Sequence, residues 1–230
     1  LMPKMDLGNY IGIDLGITNF AHDSNGQVIP NGQNLKKMLK PLRRIQRKIS
    51  RRQKGSVNHK KAIKFYQKIH ERVANRRKDF LHKTSTHYAK TYNTVFVERL
   101  DNLNMVKNHR LARAIFDSGW RTFVDLLRYK CSTLVEVSAR NTTVECSRCS
   151  KPVPKSLAVR IHRCNVCGLI IDRDENAAIN ILKKGLDIIK NNQKVNLPQE
   201  LREVTLVKIL KRSMKQEKAL DNQEMFTLCR

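Results

Sequence analysis

Acidic residues are scarce in this 230-residue chain: 20 Asp and Glu stand against 46 Lys and Arg, a formal net charge of +26. An imbalance of that size points to a polyanionic partner. Aromatic residues make up only 6% of the sequence, so base stacking is not expected to be the main term in such binding. Long hydrophobic runs are missing as well. No stretch approaches the ~18 apolar residues of a membrane span, and the N-terminus carries neither an apolar secretory core nor a small-residue cleavage site. A membrane partner is therefore not expected, and the chain reads as soluble. What is present is 40% hydrophobic residues, which argues against wholesale disorder. The length suits one sizeable core plus a small appended module. Because the chain starts at Leu1 without a methionine, a truncated or internal start is expected.

The pattern of apolar residues changes along the chain. Residues 10–29 are β-rich, with Ser24-Asn25-Gly26 as a turn signal, and read as strand, strand, turn, strand. From Asn34 the period lengthens: Leu35, Met38, Leu42, Ile45 and Ile49 share one helical stripe, and after a break at 54–59 Ala62, Tyr66, Ile69, Val73 and Phe80 continue it. Residues 34–53 and 60–90 are thus predicted to be an antiparallel helical pair. Between residues 36 and 83 lie 19 Lys/Arg and 2 acidic residues, or +17 of the chain's +26. Such a surface suits phosphate neutralisation without sequence readout, although a solvated structural insert would carry the same residues. Thr94–Glu98 is predicted to be a strand. One helix follows, with Leu111, Ile115, Phe123, Leu126 and Leu127 on its apolar side, then a strand over 134–137 and a helix over 174–184 opened by an acidic residue.

Two constellations carry chemistry. Cys146, Cys149, Cys164 and Cys167 form C-x2-C, 14 residues, C-x2-C. Each tight knuckle can turn two thiolates toward one ion, and two knuckles complete a tetrahedral zinc site. Four thiolates leave no open position, so the Zn2+ is expected to be structural. Cys131 and Cys229 have no ligand-type neighbours and read as free thiols. Arg148, Lys151, Lys155, Arg160 and Arg163 decorate the same segment. Among the acids, Asp14 lies in an apolar strand, where an ionised group is costly without a partner. Glu98 ends a second apolar strand, and Asp174 opens a helix two residues after Asp172. Taken singly, each is equally the sort of residue that caps a turn. Together at one sheet edge, such carboxylates can hold two Mg2+ for phosphodiester hydrolysis.

In order, YIGIDLGITNFA, SRRQKGSVNHKKA, FVERL, TTVECSRC and CNVCGLIIDRDENAAINIL resemble the TnpB (OrfB) family of transposon-encoded RNA-guided nucleases, a family similar in turn to the type V CRISPR effectors. The resemblance spans roughly residues 10–184. It implies an α/β, RNase H-like (RuvC-type) mixed sheet with a basic helical hairpin insert and an inserted four-cysteine zinc ribbon. Asp14, Glu98 and Asp174 match the family's catalytic, Mg2+-binding acids, with Asp174 rather than Asp172 chosen because it lies two places before Asn176. Cys146, Cys149, Cys164 and Cys167 match the zinc ligands. The implied partners are DNA and a guide RNA from the transposon end, and the implied location is the prokaryotic cytoplasm, associated with the nucleoid.

On this reading residues 1–140 are the first part of the nuclease core, with the hairpin at about 34–90. Residues 141–170 are the ribbon, 171–189 return to the core, and 190–230 form a polar, poorly ordered tail in which SMKQE and DNQEMF resemble family C-termini. Three departures stand out. The first nuclease motif begins at residue 10, where the family normally carries a long wedge and recognition region first. Ser150 replaces the usual knuckle glycine, and the segment Cys131-Ser132-Thr133 is short. The retained acids imply chemistry, while the early first motif implies that targeting is not autonomous. The rival classes are a non-catalytic nucleic-acid-binding remnant or regulator, and a basic zinc-ribbon protein of a ribonucleoprotein.

Overall fold

Tyr10–Leu15 is apolar except for Asp14 and forms β1, the middle strand of a five-stranded mixed sheet. The structure is a computed structural model that describes residues 9–156 and 158–194. On one side of β1, β2 (Asn19–Asp23) pairs antiparallel, and β3 (Val28–Pro30) pairs antiparallel with β2. On the other side, β4 (Thr94–Arg99) runs parallel to β1, and β5 (Thr133–Ser138) parallel to β4. The order is β3-β2-β1-β4-β5. Parallel neighbours need long crossovers, and helices supply both. The first is α1 (Asn34–Ser50) with α2 (Val57–Thr91); the second is α3 (Asn102–Val106), α4 (His109–Ser118) and α5 (Trp120–Lys130). Ile11, Ile13, Val95, Phe96 and Val97 are all fully buried, as central strands covered on both faces should be.

The predicted helical pair is present, with bounds close to those expected. Its stripe residues Leu42, Ile45 and Ile69, flanked by Leu35, Met38, Ile49 and Tyr66, make a small cluster of their own. Farther along α2, Leu81 and Tyr88 enter the main core with Phe20, Trp120, Phe123 and Leu127. A tertiary contact starts α1. Its preceding residue, Gln33, is left-handed and offers no side-chain cap. Buried Asp117 of α4 does so instead, accepting the Leu35 N–H at 2.9 Å and pairing with Arg77 of α2 at 3.3 Å.

The single helix expected between the strands of residues 94–99 and 133–138 is divided. Gly119, at φ +67°, ends α4 and begins α5, and a side chain there would crowd Leu81 and Arg77. A left-handed backbone costs glycine nothing. Residues 161–163 (β6, Ile161–Arg163) and 170–172 (β7, Ile170–Asp172) form a separate antiparallel ribbon. The last helix, α6 (Arg173–Lys194), outruns the expected 174–184 and includes residues 190–194 of the predicted tail. Gly185 does not stop it, because Gly185 is a contact point: a Cβ there would lie 2.0 Å from Phe96 Cδ1. Gly12 serves the same approach from β1, where a Cβ would lie 2.3 Å from the Ala178 carbonyl oxygen. The chain divides into two compact units, Leu1–Leu186 and Asp187–Arg230. The described part of the second is the end of α6; the rest of the predicted tail, with Cys229, lies outside the described residues.

Candidate active site and metal centre

Parallel pairing brings two acids level. The register Ile13↔Val97 continues to Asp14 beside Glu98, and the two carboxyls share a hydrogen bond. Asp14 is 8% exposed. Burial, then the charge and hydrogen bond of Glu98, then the charge of Asp174, push its carboxyl well above the ordinary carboxylate range. Burial raises Glu98 too, against its hydrogen bond to Asp14 and the pull of Lys184. Asp14 of β1 therefore senses both Glu98 of β4 and Asp174 in the first turn of α6, against a weaker opposing pull from Arg173, and ionising Asp14 without a nearby cation is unfavourable. Oxygen donors in such a set suit a hard divalent ion.

Asp174 has cationic company. Arg173 reaches its Oδ1 through Nη2 at 2.7 Å and Nε at 2.9 Å, and Arg160 donates to its Oδ2 at 3.1 Å and to Thr18 Oγ1 at 3.0 Å. Asp172 does a different job: its Oδ1 accepts the Asp174 N–H at 2.8 Å and caps α6. The sequence reading missed His22. In the β1–β2 ladder it stands opposite Asp14, its Nε2 3.9 Å from Asp174 and its Nδ1 3.8 Å from Asp172. Donor atoms of His22, Asp172 and Asp174 lie within 4.8 Å of one another. Recognising Gly16–Thr18 as the turn and counting back along the hairpin would have placed His22 beside Asp14.

The four paired cysteines converge. Cys146 and Cys167 bring their sulfurs to 3.6 Å, as do Cys149 and Cys164, and all four lie within 4.8 Å of one another. Tetrahedral zinc with ~2.3 Å bonds to sulfur separates its ligands by about 3.8 Å, so the cluster fits the ion. The knuckles are built alike. Ser150 N–H donates to the Cys146 carbonyl at 2.8 Å, and Gly168 N–H to the Cys164 carbonyl at 3.0 Å. Both Ser150 and Gly168 are left-handed, at φ +59° and +73°. Backbone N–H groups, that of Cys167 foremost, hold the Cys164 thiol down to about 6. Cys131 stands apart as a free thiol that burial pushes up to about 11.

The helical pair turns its charge outward. Of the 19 Lys/Arg between 36 and 83 all but Arg77 are exposed.

The comparisons with known proteins agree with one another. Residues 3–109 match the IS605-type OrfB family described as "Probable transposase", and residues 120–181 match "Cas12f1-like, TNB domain". A relative in Streptomyces pristinaespiralis described as "Putative RNA-guided DNA endonuclease" is 40% identical over 182 residues, covering 76% of this chain and 45% of the relative. InsQ of Escherichia coli K12, described in the same words, is 30% identical over 221 residues, covering 87% of this chain and 55% of its own length. The chain thus spans about half the length of these curated relatives. A solved Cas12f1 chain, from a complex with sgRNA and target DNA, shares the fold with a TM-score of 0.51 at 17% identity, over 75% of this chain and 49% of that one. By the two family matches and these relatives, the chain belongs to the TnpB (OrfB) family.

Proposed function

We propose that this chain carries the catalytic core of a TnpB-type, RNA-guided DNA endonuclease. What supports the reading is the environment of Asp14, whose carboxyl is raised by burial first and then by the charges of Glu98 from β4 and Asp174 from α6. The mixed sheet, its two helical crossovers and the closing α6 support an RNase H-like, RuvC-type domain. Residues 1–140 and 171–189 form that core on this reading, and residues 141–170 form the zinc ribbon.

Each group has a role. Asp14, Glu98 and Asp174 would hold Mg2+, and the ions supply activation of a water and stabilisation of the leaving oxygen. Burial and mutual proximity disfavour full ionisation of Asp14 and Glu98 together, a cost that a bound cation would offset. Arg173 and Arg160 hold the Asp174 carboxylate in place through charge-assisted hydrogen bonds. His22 borders the same acids. Cys146, Cys149, Cys164 and Cys167 would hold a structural Zn2+. The exposed cations of α1 and α2 neutralise phosphates of guide RNA and target DNA, and such a charge favours association with the nucleoid.

The test is Asp14→Ala in the full chain. Mg2+-dependent cleavage of single- and double-stranded DNA should fall by at least ~100-fold. Nucleic-acid affinity should stay equal or rise, since a negative charge near phosphate has gone. Cutting at the wild-type rate would sink the assignment, and loss of binding together with cutting, with the fold retained, would sink the division of labour between acids and hairpin.

A further inference from the structure

Within residues 173–186, α6 has two working faces. Ala177, Ala178 and Ile181 are fully buried, and the Gly12 contact sets this side against the sheet. Asn176, Asn180 and Lys183 recur at helical spacing on another side and grip the first cysteine knuckle. Asn176 Oδ1 accepts the Ser147 N–H at 2.8 Å, and its Nδ2 donates to the Glu145 carbonyl at 2.8 Å. Asn180 Nδ2 donates to the carbonyls of Thr142 at 2.8 Å and Glu145 at 2.7 Å. The Lys183 ammonium donates to the Ser147 carbonyl. Both residues flanking Cys146 are thus tied through their backbone to the helix whose first turn carries Asp174.

The joint is stiff for a physical reason. Asn176 is fully buried, and its amide uses donor and acceptor on the same short segment, so parting them would leave unpaired polar groups in the interior. A second tie runs alongside: Arg173 N–H donates to the Arg160 carbonyl at 2.7 Å, and Arg160 returns to Asp174. Zinc would hold Cys146, Cys146 fixes the backbone of Glu145 and Ser147, and Asn176 reads that backbone two residues from Asp174.

We propose that Asn176 is a positioning residue that couples zinc occupancy of the four cysteines to cation binding at Asp14, Glu98 and Asp174. This rests on the nuclease reading of those acids and adds a control to it: removing zinc from the ribbon disables the acid site. The coupling is reciprocal, so a cation at the acids also tightens zinc binding at equilibrium.

The experiment uses the full chain loaded with zinc and Mn2+ as the probe, its binding followed by electron paramagnetic resonance and zinc content by elemental analysis. Asn176→Ala should keep its zinc yet bind Mn2+ at least about tenfold more weakly, the scale on which such supporting contacts act. Stripping zinc from the wild type should produce a comparable loss, and stripping it from the variant should add little. Wild-type Mn2+ affinity in zinc-loaded Asn176→Ala overturns the proposal, and so does a wild type whose Mn2+ affinity ignores graded removal of zinc by a chelator. That titration needs no variant. Should Asn176→Ala fail to fold by circular dichroism, Asn180→Ala, which removes two donated bonds, is read by the same criteria. Mn2+ binding that survives Asp14→Asn unchanged counts instead against the nuclease reading of the acids.

Discussion

In the α1–α2 hairpin, 18 of the 19 cations between residues 36 and 83 stand exposed, and the partners that Lys83 and Arg52 find, Asp79 and the Asn58 carbonyl, are exposed with them. At the sheet edge the reverse holds. Asp14 is buried and feels the charges of Glu98 and Asp174, so its ionisation depends on residues from three elements. Charge on the hairpin acts as a sum and should tolerate single substitutions. Charge at the acids acts through geometry and burial and should not. Only one hairpin cation resembles the acids: half-buried Arg77, fixed to Asp117.

The contrast can be broken first by salt. If the hairpin supplies binding, affinity for nucleic acid should fall by about 10³ or more between ~50 and ~200 mM salt, as expected for six or more phosphate contacts. Filter binding across that range checks it, and a flat profile would remove the summed-charge account. Next comes Asp117→Ala, which strips the cap from α1 and the partner from Arg77. Urea unfolding should show a loss of about 1–3 kcal/mol. Nucleic-acid affinity at fixed salt should change much less than it does across the salt series, because no exposed cation is lost.

A gentler test concerns pH. The Asp14 carboxyl is raised in the fold, so its ionisation costs stability once the pH climbs above the ordinary carboxylate range and through the raised value. Asp14→Asn should therefore melt several degrees higher than the wild type at neutral pH and without divalent ions. The gain should vanish near pH 4, where both forms are neutral, and Mg2+ should narrow it at neutral pH. Equal melting at neutral pH would show that the acids are not strained. Smallest is Ser150→Gly. Relief of a left-handed serine, partly offset by a freer unfolded chain, should raise stability by about 0.5–1 kcal/mol, seen as a higher melting temperature of the zinc-loaded protein.

Much of this was legible before any coordinates. The three- and four-residue spacing from Leu35 to Ile49 marks one side of a helix wherever that helix packs, and C-x2-C is a knuckle because two thiols at that spacing can turn to one ion. Less legible were features that depend on distant partners. The left-handed Gly119 that divides the helix sits close against Leu81 and Arg77 of α2. The start of α1 is stabilised by a residue 82 positions away. His22 gains meaning only once the ladder sets it opposite Asp14, and Gly185, which reads as a stop, is a packing contact.

Composition and local spacing by themselves determined that the chain is strongly basic, that its charge gathers on a helical pair, that its cysteines form two knuckles and that it carries the motifs of its family. These properties are sums along the chain or relations between near neighbours, so no fold is needed to state them. Tertiary structure alone decided that Asp14, Glu98 and Asp174 share one electrostatic environment, that Arg160 and Arg173 hold Asp174, and that Asn176 ties the acid-bearing helix to the cysteine knuckle. Burial and hydrogen bonding between residues far apart in sequence exist only once the sheet register and the close passage of α6 over Gly12 are in place.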